Sequence, residues 1–332
     1  MSQSQKTFSS ILIEQNTSHA LFELLEAITN ASLQIADLLK VGAVEDVLGS
    51  AESDNVQGEV QKKLDIISND IFVEHCSKLK GVAALVSEEV EDVYWLKKNP
   101  SPQDLIVYFD PLDGSSNVDV NLSVGSIFSI TKVGNAYNEK DQNSILHKGT
   151  NQICAGYVVY GPSTSLVLTL GKGVNGYTYD PKSNGFVLTH ENMRVPNETN
   201  EYAINTSRYQ YWHAPIKRYI DECVEGEKGA RDKKFNMRWT ASMVADVHRI
   251  LVRGGIFMYP MDTANAKTGG KLRLMYEANP MSFLIEQAGG AASTGFQRIL
   301  EVEPNSPHQR VSVLLGSKTE IDLIDEYHNV AS

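Results

Sequence analysis

Leu105-Ile-Val-Tyr-Phe109 is followed directly in this sequence by Asp110-Pro-Leu-Asp-Gly-Ser-Ser-Asn117. The first run is short, apolar and rich in strand-favouring residues, so it predicts a buried β-strand. Pro111 fixes its own φ and disfavours a helical conformation at Asp110, and we therefore expect a stiff turn after the strand. Asp110 and Asp113 are then expected where the strand opens into this turn.

The residues after Asp113 are suited to binding an anion. Gly114 allows the backbone to approach a ligand closely, and the N–H groups of Ser115, Ser116 and Asn117 can point at it. Two carboxylates beside such a turn can hold Mg²⁺ next to a phosphate group. Most Asp- and Gly-rich turns are solvated surface turns, but the apolar strand before this one and the Gly-Ser-Ser within it both favour the metal–phosphate interpretation.

Length and composition indicate a soluble globular protein. The 332 residues are enough for one or two closely packed domains, and 42% apolar with 21% charged residues excludes a mainly disordered chain. We expect a cytoplasmic protein without a membrane partner, because no apolar stretch approaches the length of a membrane span and no signal-peptide pattern is present. The net charge of −11 argues against nucleic acid as a partner. Cys76, Cys154 and Cys223 show no CxxC spacing and suggest neither disulfides nor a zinc site.

Two helices and a loop are predicted before the first strand. Ser18 to Leu39 and Lys62 to Phe72 both have apolar residues at helical spacing. Val44 to Gln61 is rich in Gly, Ser, Asp and Glu, which predicts a loop that could act as a lid. Asp65 lies inside the second helix, where an aspartate is more often solvated than functional.

A polar segment from Val195 to Glu201 is the best candidate for a domain boundary. We expect an N-terminal domain over residues 1–196, with most of the metal ligands, and a C-terminal substrate-binding domain over residues 197–332.

A second acidic segment follows another predicted strand, Val82 to Val86. Glu88 and Glu89 leave the end of this strand much as Asp110 leaves its own. In α/β sheets, binding sites gather at the carboxyl ends of strands. If the two strands are neighbours, Glu88, Asp110 and Asp113 converge; otherwise the glutamates belong to an ordinary solvated loop.

A basic strand is predicted at Leu272 to Tyr276, preceded by Lys271. Side chains alternate along a strand, so Lys271 and Arg273 share one face, and two cations on one face suit a phosphate. Glu277 stands at the junction with the next helix and could be a further metal ligand. From these residues alone, an edge strand with solvated Lys and Arg side chains is equally consistent.

Taken together, these motifs resemble those of the class I fructose-1,6-bisphosphatases, within the wider superfamily of Mg²⁺-dependent sugar and inositol phosphatases. The resemblance rests on the octet at Asp110 and on four further segments. These are Lys63-Leu-Asp-Ile-Ile-Ser-Asn-Asp70, Val86-Ser-Glu-Glu89, Ser242-Met-Val-Ala-Asp-Val-His-Arg249, and Lys271-Leu-Arg-Leu-Met-Tyr-Glu-Ala-Asn-Pro280 with the Glu-Gln-Ala-Gly-Gly290 that follows. It extends from about Gly58 to Gly290 in the expected order. It implies an α/β fold of the layered α+β sugar-phosphatase type, with stacked sheets and helices in two closely packed domains.

The resemblance also implies roles for individual residues. It assigns metal binding to Glu88, Glu89, Asp110, the carbonyl of Leu112, Asp113 and Glu277, and activation of the attacking water to Asp65 and Glu89. Contacts to the phosphates and the sugar are assigned to Gly114, Ser115, Ser116, Asn205, Tyr209, Tyr259, Lys271 and Arg273. Arg238 matches an arginine that reaches into a neighbouring subunit, which implies a homotetramer or a dimer. The implied cofactor is Mg²⁺, two or more ions per site, with Mn²⁺ as a substitute.

Two departures from the family pattern stand out. Trp239 occupies a position where the family usually has a tyrosine that contacts the 6-phosphate, and an indole offers its N–H in a different place. The N-terminal region lacks the motifs of the AMP site found in allosteric members, and Asp104 replaces a lysine there. Because a carboxylate repels a nucleotide phosphate, we expect this allosteric region to be degenerate.

The expected activity is hydrolysis of the 1-phosphate of fructose 1,6-bisphosphate, as in gluconeogenesis. The alternatives are a sedoheptulose-1,7-bisphosphatase, or an enzyme that accepts both sugars, and a non-catalytic regulator that binds a sugar phosphate. The full set of carboxylates argues against the regulator.

Overall fold

The computed structural model describes residues 6–42, 48–54, 60–135 and 137–331. Its α-helices are α1 (Phe8–Glu14), α2 (His19–Val41), α3 (Lys63–Cys76), α4 (Ala214–Glu225), α5 (Met243–Arg253), α6 (Asn279–Gln287) and α7 (Lys318–Ala331). No helix within these ranges is both long enough and apolar enough to cross a membrane.

Most strands belong to two large sheets. An eight-stranded sheet has the order β10-β9-β8-β7-β6-β5-β3-β4, and a five-stranded sheet has the order β12-β11-β13-β17-β15, with the bounds below. The strands are β1 (Ser50–Asp54), β2 (Val60–Lys62), β3 (Val82–Ser87), β4 (Tyr94–Trp95), β5 (Leu105–Asp113), β6 (Val124–Lys132), β7 (Cys154–Tyr160), β8 (Thr164–Thr169), β9 (Val174–Asp180), β10 (Gly185–His190), β11 (Glu201–Ile204), β12 (Asn236–Met237), β13 (Ile256–Tyr259), β14 (Leu272–Arg273), β15 (Ala291–Ser293), β16 (Arg310–Val311) and β17 (Val313–Gly316). The remaining strands form two small antiparallel pairs, β1 with β2 and β14 with β16.

The elements stack as five alternating layers. Helices α1 to α3 cover one face of the eight-stranded sheet, and α5 and α6 lie between its other face and the five-stranded sheet. Helices α4 and α7 cover the outer face of the smaller sheet. This is the layered α/β architecture that the family resemblance implies. The largest buried cluster contains residues from both sides of the predicted boundary at residue 196, and the exact division into domains stays a prediction.

Strand β5 shows how the sequence specifies two layers at once. Ile106 and Tyr108 pack into the cluster around α5 and α6, whereas Leu105, Val107 and Phe109 pack towards α1 to α3. Side chains alternate between the faces of a strand, so a strand buried on both sides needs a continuous apolar run. The burial of this strand on both faces is therefore a direct consequence of its composition.

The loop predicted from Val44 to Gln61 is only partly a loop. Ser50–Asp54 pairs with Val60–Lys62 in a short antiparallel ribbon, because backbone pairing satisfies hydrogen bonds whatever the side chains are. Residues 43–47 and 55–59, and with them half of the predicted lid, lie outside the described residues.

Candidate active site

Two neighbouring parallel strands bring the predicted acidic segments together. Strands β3 and β5 are paired so that Ser87 lies opposite Phe109. The N–H of Glu88 donates to the carbonyl oxygen of Phe109 at 3.1 Å. Glu88, just beyond the end of β3, and Asp110, near the carboxyl end of β5, are therefore adjacent, as predicted.

The strand predicted over Leu105 to Phe109 is longer in the structure, where it continues to Asp113. Asp110 and Asp113 are three residues apart, and strict alternation would direct them to opposite faces. The pairing with β6 shifts register between these two residues, as in a β-bulge, and both side chains reach the same cavity. Pro111 lies within this irregular segment, where its missing N–H is tolerated.

The predicted turn begins one step later, at Gly114. This residue has φ of +76° and is followed by a 3₁₀ helix over Ser115–Val120. A Cβ at this position would lie 2.7 Å from the Cβ of Ser242. Both the backbone conformation and the close contact with Ser242 therefore require glycine here.

Helix α5 holds Asp113 in place with its N-terminus. Oδ2 of Asp113 accepts hydrogen bonds from the hydroxyl of Ser242 at 2.8 Å and from the N–H of Val244 at 2.9 Å. No role for Ser242 was predicted from the sequence. A serine directly before a helical pattern is an N-cap signal, and this signal could have placed a helix N-terminus close to the site.

Glu277 is positioned by a π-helical turn rather than by the junction of a strand and a helix. The predicted strand ends at Arg273, and Leu274–Ala278 forms the π-turn. The backbone N–H of Arg273 donates to Oε2 of Glu277 at 2.6 Å. The guanidinium of Arg273 lies 2.7 Å from Oε1 of Glu88, so it is buried among carboxylates and not solvated.

Three buried carboxylates form a cluster that fits a metal ion. Asp110, Asp113 and Glu277 can each offer an oxygen within 4.8 Å of the others. Burial and the negative charges of neighbouring carboxylates raise the pKa of Asp110 well above its ordinary value. Burial is also the main cause of the raised pKa values of Asp113 and Glu277. Oxygen donors whose charges repel one another in this way are suited to a hard divalent cation.

Asp65 is buried at the start of α3 and is not solvated. Its Oδ2 accepts the N–H of Lys62 at 2.8 Å, which caps the helix. Burial raises the pKa of Asp65 to about 6, although hydrogen bonds from Lys62 and Ser115 oppose this shift. A carboxyl group with such a pKa can exchange a proton near neutral pH.

A cavity of about 370 Å³ contains nearly all the predicted site residues. Those that line it are Asp65, Glu88, Glu89, Asp110, Leu112, Asp113, Gly114, Ser115, Ser116, Asn205, Tyr259, Lys271, Arg273 and Glu277. Apart from Glu277, the acidic residues lie with the Gly114 turn between residues 65 and 116, whereas Asn205, Tyr259, Lys271, Arg273 and Glu277 come from the C-terminal segment.

Trp239 lies in the lining of this cavity, where it contacts other aromatic residues. Its ring is stacked on Phe257, with centroids 5.9 Å apart, and is tilted against Tyr259. The indole therefore forms part of the cavity wall together with Phe257 and Tyr259.

Two predicted residues lie outside the cavity. Tyr209 is exposed on the 3₁₀ helix Thr206–Tyr211, and its hydroxyl donates to Asp221 of α4 at 2.8 Å, which turns it away from the site. Its neighbour Arg208 instead pairs with the buried Asp262 through two hydrogen bonds.

Arg238 follows the edge strand β12, is exposed and donates to the carbonyl of Met237. A contact with a neighbouring subunit would need that exposed position.

Comparison with known proteins identifies relatives over the whole chain. Residues 6–191 match the family model described as fructose-1-6-bisphosphatase, N-terminal domain, and residues 195–329 match the C-terminal domain of the same family. Fructose-1,6-bisphosphatase of Leishmania major in its holo form is 36% identical, with a TM-score of 0.92 over 98% of this chain and 100% of the other. The apo and T-state forms of that protein each give 35% identity and a TM-score of 0.86 over the same shares.

Proposed function

The chain belongs to the fructose-1,6-bisphosphatase family, and from this we propose that it hydrolyses the 1-phosphate of fructose 1,6-bisphosphate to give fructose 6-phosphate and phosphate. One observation supports this most directly. A cluster of buried carboxylates and a backbone turn suited to phosphate share a cavity with a lysine and an asparagine from the C-terminal segment. A substrate with a phosphate at each end fits this distribution of charge.

We propose that Mg²⁺ is the cofactor, with two or more ions per site and Mn²⁺ as a substitute. Glu88, Glu89, Asp110, Asp113, Glu277 and the carbonyl of Leu112 would hold the ions. When bound, the metal offsets the negative charge of the phosphoryl oxygens and lowers the pKa of water. The buried position and raised pKa values of Asp110, Asp113 and Glu277 support this assignment.

The remaining residues bind and orient the substrate. The N–H groups at Gly114, Ser115 and Ser116, together with Arg273, surround the 1-phosphate. Lys271, Asn205 and Tyr259 bind the sugar and the 6-phosphate. Holding the phosphorus in line with the attacking water supplies much of the rate in phosphoryl transfer.

Asp65 and Glu89 take the proton of the attacking water. Asp65, whose pKa is about 6, is poised to exchange a proton near neutral pH. Both carboxylates line the same cavity as the metal-binding cluster, which supports this role.

We also propose self-association, as a homotetramer or as a dimer, and a cytoplasmic location. The exposed position of Arg238 is consistent with a contact between subunits. Measurement of the molecular mass in solution tests self-association. An activity assay of Arg238→Ala tests whether Arg238 contributes to a contact between subunits.

A phosphate-release assay tests the proposed activity. With Mg²⁺, fructose 1,6-bisphosphate should be cleaved much faster than sedoheptulose 1,7-bisphosphate and inositol monophosphate. Comparable rates with the first two sugars would indicate dual specificity, and binding without phosphate release would indicate a regulator. Glu88→Gln should reduce kcat by roughly 10³-fold, the scale of losing a key electrostatic group, while circular dichroism stays unchanged. Near wild-type turnover in that variant would contradict the assigned metal site.

A further inference from the structure

His308 contacts two segments that supply the proposed metal ligands. Its Nε2 lies 3.2 Å from the carbonyl oxygen of Glu91, in the loop that begins with Glu88 and Glu89. Its Nδ1 lies 2.7 Å from the hydroxyl oxygen of Tyr276, the residue before Glu277 in the π-turn. The side chain is half-buried, and its ring makes an edge contact with that of Tyr276.

Donor and acceptor roles along this chain of hydrogen bonds follow from the partners. A carbonyl oxygen only accepts, so Nε2 of His308 must bear the hydrogen that it donates to Glu91. In the neutral imidazole, Nδ1 then has the lone pair and accepts from the hydroxyl of Tyr276. Burial lowers the pKa of His308 and raises that of Tyr276, and both shifts agree with this arrangement.

The two bonds differ in what they join. The segment of His308 is already fixed to the π-turn by backbone bonds: β14 pairs with β16, and the N–H of Leu274 donates to the carbonyl of Gln309 at 2.7 Å. The bond from Nε2 to Glu91 instead crosses to the separate loop after β3. This loop is also linked to the same unit by the ion pair between Glu88 and Arg273.

We propose that His308 is a positioning residue that holds the loop of Glu88 and Glu89 at the correct distance from Glu277 to bind metal. The proposal rests on the metal-binding role of these carboxylates stated above. His308 is not part of the lining of the site cavity, and its effect is transmitted through the backbone of Glu91. Groups that orient metal ligands in this way commonly change metal affinity by roughly 10–100-fold when they are lost.

Two variants separate the two hydrogen bonds. The amide nitrogen of Gln in His308→Gln can occupy the place of Nε2 and still donate to Glu91. The shorter amide in His308→Asn occupies the place of Nδ1 and can bond only Tyr276. We therefore expect His308→Gln to retain metal binding and His308→Asn to weaken it.

The experiment measures metal binding directly, with Mn²⁺ titrated into the metal-free protein and free Mn²⁺ followed by electron paramagnetic resonance. His308→Asn should raise the dissociation constant roughly tenfold, at the low end for such groups. It should raise the Mg²⁺ concentration for half-maximal activity in parallel, with KM for the bisphosphate at saturating Mg²⁺ within about twofold of wild type. His308→Gln should stay within about twofold of wild type in all three quantities, as expected if the Glu91 bond is what matters.

His248 provides a matched control. It is also half-buried, and its Nδ1 lies 2.9 Å from the hydroxyl of Tyr157, with a similar edge contact between the rings. It lies within α5 and does not contact the Glu88 loop. His248→Asn should leave Mn²⁺ binding unchanged.

Three results would overturn the proposal: wild-type metal affinity in His308→Asn, equal weakening in the Asn and Gln variants, or loss of folding in both. Glu88→Gln distinguishes this failure from failure of the proposed site. If Glu88→Gln loses metal binding while His308→Asn does not, only the role of His308 is wrong. If Glu88→Gln binds metal like the wild type, the carboxylate assignment itself is wrong.

Discussion

Asp110→Asn should stabilise the metal-free protein although it should reduce kcat by roughly 10³-fold. Asp110 is buried, and burial together with Glu88, Asp113 and Glu277 raises its pKa. An ionised carboxylate at this position therefore opposes folding when no cation is present. Oδ1 of Asp110 accepts the N–H of Leu112 at 3.0 Å, and the carboxamide oxygen of Asn can retain this bond. The substitution is isosteric, so it removes charge without leaving a cavity.

The size of the effect follows from the separation of the charges. Two unit charges 4.8 Å apart repel by about 3 kcal/mol at an effective dielectric constant of about 20. Partial protonation of the cluster already relieves some of this repulsion, so we expect a gain of ~1–3 kcal/mol for the metal-free variant. For a protein of 332 residues, that corresponds to a rise of roughly 1.5–4 °C in Tm.

The dependence on pH has a definite sign. When folding raises the pKa of a carboxyl group, the free energy of unfolding is highest below the unfolded pKa of ~4, where the group is protonated in both states. The free energy of unfolding then falls as the pH rises towards the folded pKa. The advantage of Asp110→Asn should therefore be larger at pH 8 than at pH 5.5. With saturating Mg²⁺ it should vanish or reverse, because only the wild-type carboxylate binds the cation fully.

Asp262→Asn is the matched control. Asp262 is also fully buried, and burial raises its pKa. Hydrogen bonds from Arg208 and from backbone N–H groups outweigh this effect, so the pKa of Asp262 is lowered, unlike that of Asp110. The same substitution should there destabilise the protein by roughly 2–3 kcal/mol, the value of hydrogen bonds to a charged group. Unfolding curves with EDTA and with Mg²⁺, at both pH values, measure all of these differences. If Asp110→Asn is less stable than the wild type in EDTA at pH 8, the reasoning from mutual repulsion is refuted.

Four further predictions concern the substrate, the cavity wall, pH and regulation. Lys271→Ala should raise KM for the bisphosphate roughly 10–100-fold and change kcat little, since it removes binding shared by ground and transition states; an equal fall in kcat in steady-state kinetics would contradict this. Trp239→Tyr should keep activity, with KM unchanged or lower, and a large loss of turnover would show that the indole has a role of its own. Burial raises the pKa of Asp246 to about 7, so stability should fall as pH rises from ~4 to ~7; urea unfolding at pH 5 and pH 8 should show a smaller fall for Asp246→Asn than for the wild type. AMP at millimolar concentration should inhibit weakly or not at all, because Asp104 supplies no cation and is itself bound to Lys97 at 2.6 Å; micromolar, cooperative inhibition in an activity titration would contradict this.

The family could be predicted from the sequence because it rests on local motifs, and the layered fold was implied by the resemblance to that family. The apolar runs before Glu88 and Asp110 identify two buried strands, and the motifs that follow them identify the family, which the comparisons confirm. From the sequence, it had to be assumed that the two strands are neighbours. The structure shows that they are, because β3 and β5 pair in parallel.

What the sequence could not reveal depends on contacts between distant segments. The register shift between Asp110 and Asp113 arises from pairing with β6, and no local signal specifies it. Leu272, Leu274 and Tyr276 alternate as in a strand, yet the chain forms a π-turn from Leu274 onwards. The orientation of Tyr209 is likewise set by Asp221 of α4, so its position outside the cavity could not be read from its own neighbours.

The π-turn also makes the site sensitive to chain length at this position. A π-helical turn has about one residue more than an α-helical turn, and each residue of an α-helix advances by about 100° around its axis. Deleting a single residue between Arg273 and Asn279 would allow an ordinary α-helix to continue into α6. Glu277, whose Oε2 now accepts the N–H of Arg273, would then rotate by about a quarter of a turn away from Asp110 and Asp113. The extra residue thus acts as a spacer in the helix, and changes of length here should be more damaging than most single substitutions.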